Sequence, residues 1–211
     1  IKIFSIKDPQ RLLWKERGFD IVLEPTGKFT TRERASAHLA AGAKKVILSA
    51  PAKGEMPTFV YGVNHIEYNP ATDNIISNAS CTTNALAPVA KIIDDAFGIV
   101  SAMMTTVHSY TNDQAILDKG HRDLRRARTA GSSIIPTTTG ATKAVELILP
   151  QLKGKLSGCS IRVPTPDVSL IDFTLELENK VTVKDINNVL QQASLGSFKG
   201  LVGYSEEPLV S

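Results

Sequence analysis

Short apolar runs alternate along this chain with turn clusters and with helically spaced apolar positions. Residues 20–24 (Asp-Ile-Val-Leu-Glu) read as a strand closed by Pro25-Thr26-Gly27. Thr30 with Glu33 forms a capping box, which predicts a helix over 31–41 with Gly42 at its C-terminal cap. A second buried strand over 45–49 follows, and the order strand, helix, strand predicts a βαβ unit in a parallel sheet. Residues 1–4, 59–63 and 75–78 read as further short strands.

Beyond these, Leu86, Val89, Ile92, Ile93 and Phe97 recur on one face, which predicts a helix over 82–97 with a bend at Pro88. A longer strand is expected over 99–108, then a polar, basic loop over 109–136 of the kind usually kept for function. A helix over 141–149 precedes strands at 156–163 and 167–177, a helix from Thr182 to about 194 opened by Thr182 with Asp185, and a last strand at 201–204. The fold class is therefore α/β: a parallel half ending near Asn78, then an α+β half with mostly antiparallel strands.

Composition changes this picture little. The 211 residues are 42% hydrophobic and 21% charged, the texture of one large globular domain or two modest ones. No apolar run is long enough to span a bilayer, so no membrane partner is expected. The formal charge of +3 is too small to argue for nucleic acid. Only two cysteines, Cys81 and Cys159, are present, which suits a reducing compartment and excludes a disulfide scaffold. No cluster with metal-ligand spacing is visible, and no metal site is expected. Both ends read as cut rather than finished.

Candidate chemistry centres on Ser80-Cys81-Thr82-Thr83-Asn84. The thiol falls between a strand and a helix, where helix N–H groups and the macrodipole favour thiolate. Its neighbours are all polar, a poor lining for an inert core cysteine, so the nucleophile reading prevails. Cys159, on a strand, reads as core. His108 follows Met104-Thr105-Thr106-Val107 at a strand end and is the expected base. Adjacent parallel strands are expected to bring Cys81 and His108 to one sheet edge. His38 and His65 have no such context.

The segment 119–128 holds Lys119, Arg122, Arg125, Arg126 and Arg128 against Asp123. For most of these a solvated or interface role is preferred, with an anion site as the functional reading. Nucleic acid is disfavoured because the patch is short and lacks aromatics. His121-Arg122-Asp123-Leu124 matches the start of a kinase catalytic loop, but the rest of that motif set is missing. Thr137-Thr138-Thr139-Gly140 precedes a helix and could cradle an anion, although a threonine cap explains the same letters. Arg162, on an apolar strand, calls for an anionic partner.

Five stretches, 77–84, 105–111, 121–128, 136–141 and 162–166, together resemble the phosphorylating glyceraldehyde-3-phosphate dehydrogenase family, in order and with family-like spacing. The resemblance implies a partial Rossmann-type sheet over 1–79 and a C-terminally truncated catalytic domain over 80–211. It implies that Cys81 attacks the aldehyde, that His108 activates the thiol, and that inorganic phosphate cleaves a thioester. Ser80, Thr82, Thr111, Thr139, Gly140 and Arg162 resemble phosphate contacts, with Arg128 the one basic-loop residue added to them. Thr26, Gly27 and Ser49 resemble cofactor contacts, the cofactor being NAD or NADP. A cytoplasmic homotetramer is implied, with a plastid as the other compatible compartment.

Departures are also legible. The chain has no Gly-x-Gly-x-x-Gly unit and no C-terminal family helix, Ala85 stands where many members carry a second cysteine, and Pro25 replaces a small residue. Erythrose-4-phosphate dehydrogenase, a catalytically incomplete interaction module and a cysteine hydrolase are the rival readings.

Overall fold

In a computed structural model, which describes residues 2–210, the chain divides into two compact units, 1–84 and 85–211. The first is built on three parallel strands in chain order: β1 (Ile21–Glu24), β2 (Lys45–Leu48) and β3 (Ile75–Ser77). Helix α1 (Arg32–Ala40) makes the β1-to-β2 crossover. Alternation along β1 and β2 sends Val22, Val46 and Leu48 inward, where Val46, Leu48, Ile75 and Ala35 form a buried cluster flanked by Leu39 and Met56. Burying each of the three large aliphatic side chains contributes about 1.5–3 kcal/mol.

Thr31, rather than Thr30, caps α1: its hydroxyl accepts from Arg34 N at 3.2 Å. Thr30 is instead buried, and its carbonyl accepts from Lys53 N. The strand expected at 59–63 reduces to one bridge, Thr58 with Ser77. Beyond it Asn64 Oδ1 accepts from Val60 N, and the chain turns through Gly62 at φ 83°. Residues 2–4 form no strand; Ile1, which opened the expected one, and Ser211 lie outside the described residues.

Helix α2 (Cys81–Phe97) begins one residue earlier than expected and runs through Pro88. It buries Leu86, Ala87, Ala90 and Ile93. In the second unit a four-stranded sheet has the order β5 (Ile135–Thr137), β6 (Leu156–Val163), β4 (Ile99–Ser109), β7 (Ser169–Leu177). The β4–β6 pair is parallel, and the β4–β7 and β5–β6 pairs are antiparallel, so the sheet is mostly antiparallel as expected. Helix α3 (Ala141–Ile148) packs close to β6 at Gly158, where an added Cβ would lie 2.7 Å from Met104 O and 3.0 Å from the Thr142 methyl. Helix α4 (Val183–Leu195) opens with the expected Thr182–Asp185 capping box. Residues 201–204 form no strand; Leu201 N and Val202 N both bond back to Phe198 O.

Candidate active site

Parallel strands deliver their C-terminal ends to one edge of the first sheet, and three of the singled-out segments lie there. Thr26 and Gly27 follow β1, Ser49 follows β2, and Ser80-Cys81 follow β3 through Asn78 and Ala79. Thr26, Gly27, Ser49 and Cys81 are all exposed at that edge. Gly27 adopts φ 70°, with open space where a Cβ would project. Ser49 N bonds Glu24 O at 3.1 Å, which ties the β2 end to the β1 end.

Cys81 is aimed by its neighbours. Ala79, 3% exposed, holds φ 56°, a left-handed conformation that a non-glycine residue adopts only when its surroundings impose it. Its N–H donates to Ser77 Oγ at 3.0 Å. The Ser80 hydroxyl accepts from Thr83 N at 3.1 Å and lies 2.7 Å from Thr83 Oγ1, so Ser80 caps α2. Asn84 Nδ2 donates to the carbonyls of Asn78 (2.7 Å) and Ser80 (2.9 Å). The thiol thus sits on the first residue of a well-capped helix, while Thr82 turns inward and is buried.

His108 is on a different sheet. It ends β4, whereas Cys81 follows β3, so adjacency of parallel strands does not relate the two, contrary to the sequence-based argument. The shared parallel edge instead joins His108 to Arg162, its register partner on β6. Arg162 Nη1 lies 2.7 Å from His108 Nδ1 and donates to Ser109 O at 2.9 Å.

The remaining polar positions of the second unit are linked in a chain. Thr111 donates through its N–H (3.0 Å) and hydroxyl (3.2 Å) to Oε1 of Gln114, which is buried. Gln114 Nε2 reaches Asp113, which pairs with Arg126 through a short contact. Arg126 Nε donates to Thr137 Oγ1 (2.8 Å) and its Nη2 to Thr138 Oγ1 (3.3 Å). Thr139 Oγ1 accepts from Ala141 N at 3.1 Å just ahead of α3, whose N-cap residue is the exposed Gly140.

Among the basic residues, the Arg128 side chain is 71% exposed and pairs with Asp118, whereas Arg126 is only 16% exposed. Arg126 thus has the structural role expected of most basic-loop arginines, whereas Gln114 was missed, because the buried polar character of a loop glutamine leaves no mark in a sequence. Cys159 is half-buried on β6, 3.7 Å from Thr105 Oγ1. Among the described residues no group of His, Cys, Asp or Glu could hold a metal, and no helix is long and apolar enough to cross a membrane.

These features define an α/β protein whose first unit carries a thiol at the start of a capped helix on a parallel-sheet edge and whose second carries a histidine–arginine pair on a mixed sheet. The family model described as glyceraldehyde 3-phosphate dehydrogenase, C-terminal domain, matches residues 80–211. The chain is 63% identical over 205 residues to glyceraldehyde-3-phosphate dehydrogenase of Geobacillus stearothermophilus, covering 97% of this chain and 61% of the relative. It is 60% identical over 211 residues to that of Priestia megaterium and 58% identical to glyceraldehyde-3-phosphate dehydrogenase 1 of Bacillus subtilis, covering 100% of this chain and 63% of each relative. The chain thus spans 61–63% of the length of these relatives. It belongs to the glyceraldehyde 3-phosphate dehydrogenase family.

Proposed function

We propose that this chain carries the thiol and the phosphate-binding residues of a phosphorylating glyceraldehyde-3-phosphate dehydrogenase. The observation that carries the reading is Cys81, exposed on the first residue of α2 at the same sheet edge as Thr26, Gly27 and Ser49. Residues 1–79 are read as part of a dinucleotide-binding domain and 80–211 as the catalytic domain.

A nicotinamide dinucleotide fits the residues of that edge. Thr26 and Gly27 offer exposed backbone on an open turn, and Gly27 has no side chain to block a close approach. Thr26, Gly27 and Ser49 would hold part of the cofactor, NAD or NADP. When bound, it supplies the hydride acceptor that allows a thiohemiacetal to become a thioester.

The chain's own residues do the rest. Cys81 Sγ attacks the aldehyde carbon to give the hemithioacetal; His108 takes the thiol proton, returns it to the adduct oxygen, and takes it back from that hydroxyl when the adduct is oxidised. Inorganic phosphate attacks the Cys81 thioester, giving 1,3-bisphosphoglycerate and releasing the thiolate. Ser80, Thr82, Thr111, Arg128, Thr139, Gly140 and Arg162 are read as contacts to the substrate phosphate and the attacking phosphate. Arg126 supports Thr137 and Thr138 from beneath. The whole protein is read as a cytoplasmic homotetramer with the basic loop at a subunit interface.

The test is to supply the full-length protein with glyceraldehyde 3-phosphate, inorganic phosphate and either NAD or NADP. Dinucleotide reduction is expected, with an acyl adduct on the Cys81 peptide when phosphate is withheld. No reduction of either dinucleotide, or an adduct on another residue, overturns the reading.

A further inference from the structure

His38, which the sequence leaves without a role, is the middle of a buried polar chain that ends on the Thr26–Gly27 turn. Trp14 Nε1 donates to His38 Nδ1 at 3.2 Å, and His38 Nε2 lies 3.0 Å from Glu24 Oε2. Glu24 Oε1 in turn accepts from Thr26 N at 2.8 Å and, in a short bond, from the Thr26 hydroxyl. The His38 and Glu24 side chains are 5% and 6% exposed. Phe29 stands edge-on to the imidazole, with ring centroids 5.6 Å apart.

The proton inventory fixes the direction of this chain. An indole N–H can only donate, so His38 Nδ1 accepts and the neutral ring carries its proton on Nε2, aimed at Glu24. Both donors of Thr26 are consumed on the inner side by one carboxylate. The Thr26 hydroxyl oxygen also accepts from Lys28 N at 3.2 Å, so the exposed Gly27, at φ 70° with open space beside it, lies in a turn held on both sides. A carboxylate buried this deeply without His38 would be short of one charge-assisted hydrogen bond and would be free to rotate away from Thr26.

We propose that His38, supported by Trp14, is a positioning residue for dinucleotide binding: it locks the Glu24 carboxylate so that Glu24 fixes the Thr26–Gly27 turn against the cofactor. This rests on the reading of that turn as a cofactor contact.

The experiment compares steady-state kinetics of full-length His38→Leu, His38→Gln, Thr26→Val and the His38→Leu/Thr26→Val double variant. His38→Leu is expected to raise the dinucleotide KM about tenfold, the size of one lost buried charge-assisted bond. The kcat and the aldehyde KM are expected to stay within about twofold, since neither depends on the turn. In His38→Gln the amide can still donate to Glu24, and most of the loss is expected to be recovered. The double variant is expected to be no worse than the poorer single one, because both changes break one chain.

A dinucleotide KM that rises in Thr26→Val but not in His38→Leu overturns the positioning role while sparing the cofactor reading of the turn. A KM unmoved in Thr26→Val overturns the cofactor reading and this proposal with it. Equal losses in kcat and both KM values for His38→Leu, with no rescue by Gln, reduce His38 to a structural residue and also overturn it. If His38→Leu does not fold, Trp14→Phe removes only the indole donor and is expected to raise the dinucleotide KM about twofold to threefold, with no change overturning the proposal.

Discussion

His108 and Arg162 face each other across the parallel β4–β6 pair, and Arg162 Nη1 lies 2.7 Å from His108 Nδ1. The same Nδ1 is 2.7 Å from the Ser109 carbonyl oxygen. A guanidinium has only donors and a carbonyl only accepts, so the two contacts belong to opposite tautomers. With Arg162 donating to Nδ1, the ring proton is on Nε2. With Nδ1–H donating to Ser109 O, the Nε2 lone pair is available as a base.

An anion that engages the Arg162 guanidinium draws it from Nδ1 and favours the basic tautomer. Arg162→Leu is accordingly expected to raise the KM for glyceraldehyde 3-phosphate by roughly tenfold or more, the worth of a hydrogen bond to a charged group. Turnover of non-phosphorylated glyceraldehyde is expected to stay within about threefold, because Nδ1 can still donate to Ser109 O. Side-by-side kinetics on the two aldehydes decide it, and equal losses would remove Arg162 from the phosphate site.

Cys81 is exposed on the first residue of α2, so its contribution to packing is small. Cys81→Ser is expected to change unfolding stability by no more than about 0.5 kcal/mol, as for other exposed positions. The same variant is expected to form no acyl-enzyme. Denaturant titration and intact-mass analysis after aldehyde and dinucleotide read the two halves separately; retained turnover sinks the nucleophile assignment.

Ser80 has a measurable structural task beside any ligand contact. Its hydroxyl is the cap that satisfies Thr83 N, and Ser80→Ala is expected to cost about 1 kcal/mol. Ser80→Asp keeps an acceptor at the cap and is expected to restore most of that stability while its charge repels phosphate. Equal stability of the Ala variant and the parent would show that the cap is not needed.

What the sequence made legible was what depends on neighbours in the chain. The βαβ order, the α2 face, the α4 capping box and the thiol at a strand–helix junction are all written in residues a few positions apart. The α1 cap falls on Thr31 rather than Thr30: the Thr31 hydroxyl accepts from Arg34 N, while Thr30 is buried and its carbonyl is tied to Lys53, far along the chain. The expected strand at 59–63 gave way once Asn64 captured the Val60 N–H and Gly62 turned the backbone. His38 looked idle because its partners, Trp14 and Glu24, are brought to it only by folding. Arg162 stood out as a charge on an apolar strand, but its register opposite His108 follows from a β4–β6 pairing that periodicity does not encode. Nor does periodicity reveal which strands share a sheet, and that is why the expected common edge for Cys81 and His108 failed.

Asp118 provides a pH test of the basic loop. Its Oδ1 accepts from Thr129 N at 2.8 Å and Thr129 Oγ1 at 2.9 Å, and lies 3.3 Å from Arg128 Nε. The Thr129 N–H foremost, then its hydroxyl, with Arg128 adding a smaller attraction, hold the carboxyl below its ordinary value of 3.8. For a carboxyl whose folded pKa is depressed, the stabilisation is present above the unfolded value of about 3.9 and is lost as pH falls through the folded one. The clasp is therefore intact at neutral pH and opens only in acid. A carboxyl-carbon NMR titration is expected to place the Asp118 midpoint below 3.8 and to move it upward in Thr129→Val. The neighbouring Lys119 N–H, bonded to Ala127 O at 3.1 Å, is expected to exchange faster as the clasp opens. A midpoint that Thr129→Val leaves unmoved would show that Thr129 does not hold the carboxylate.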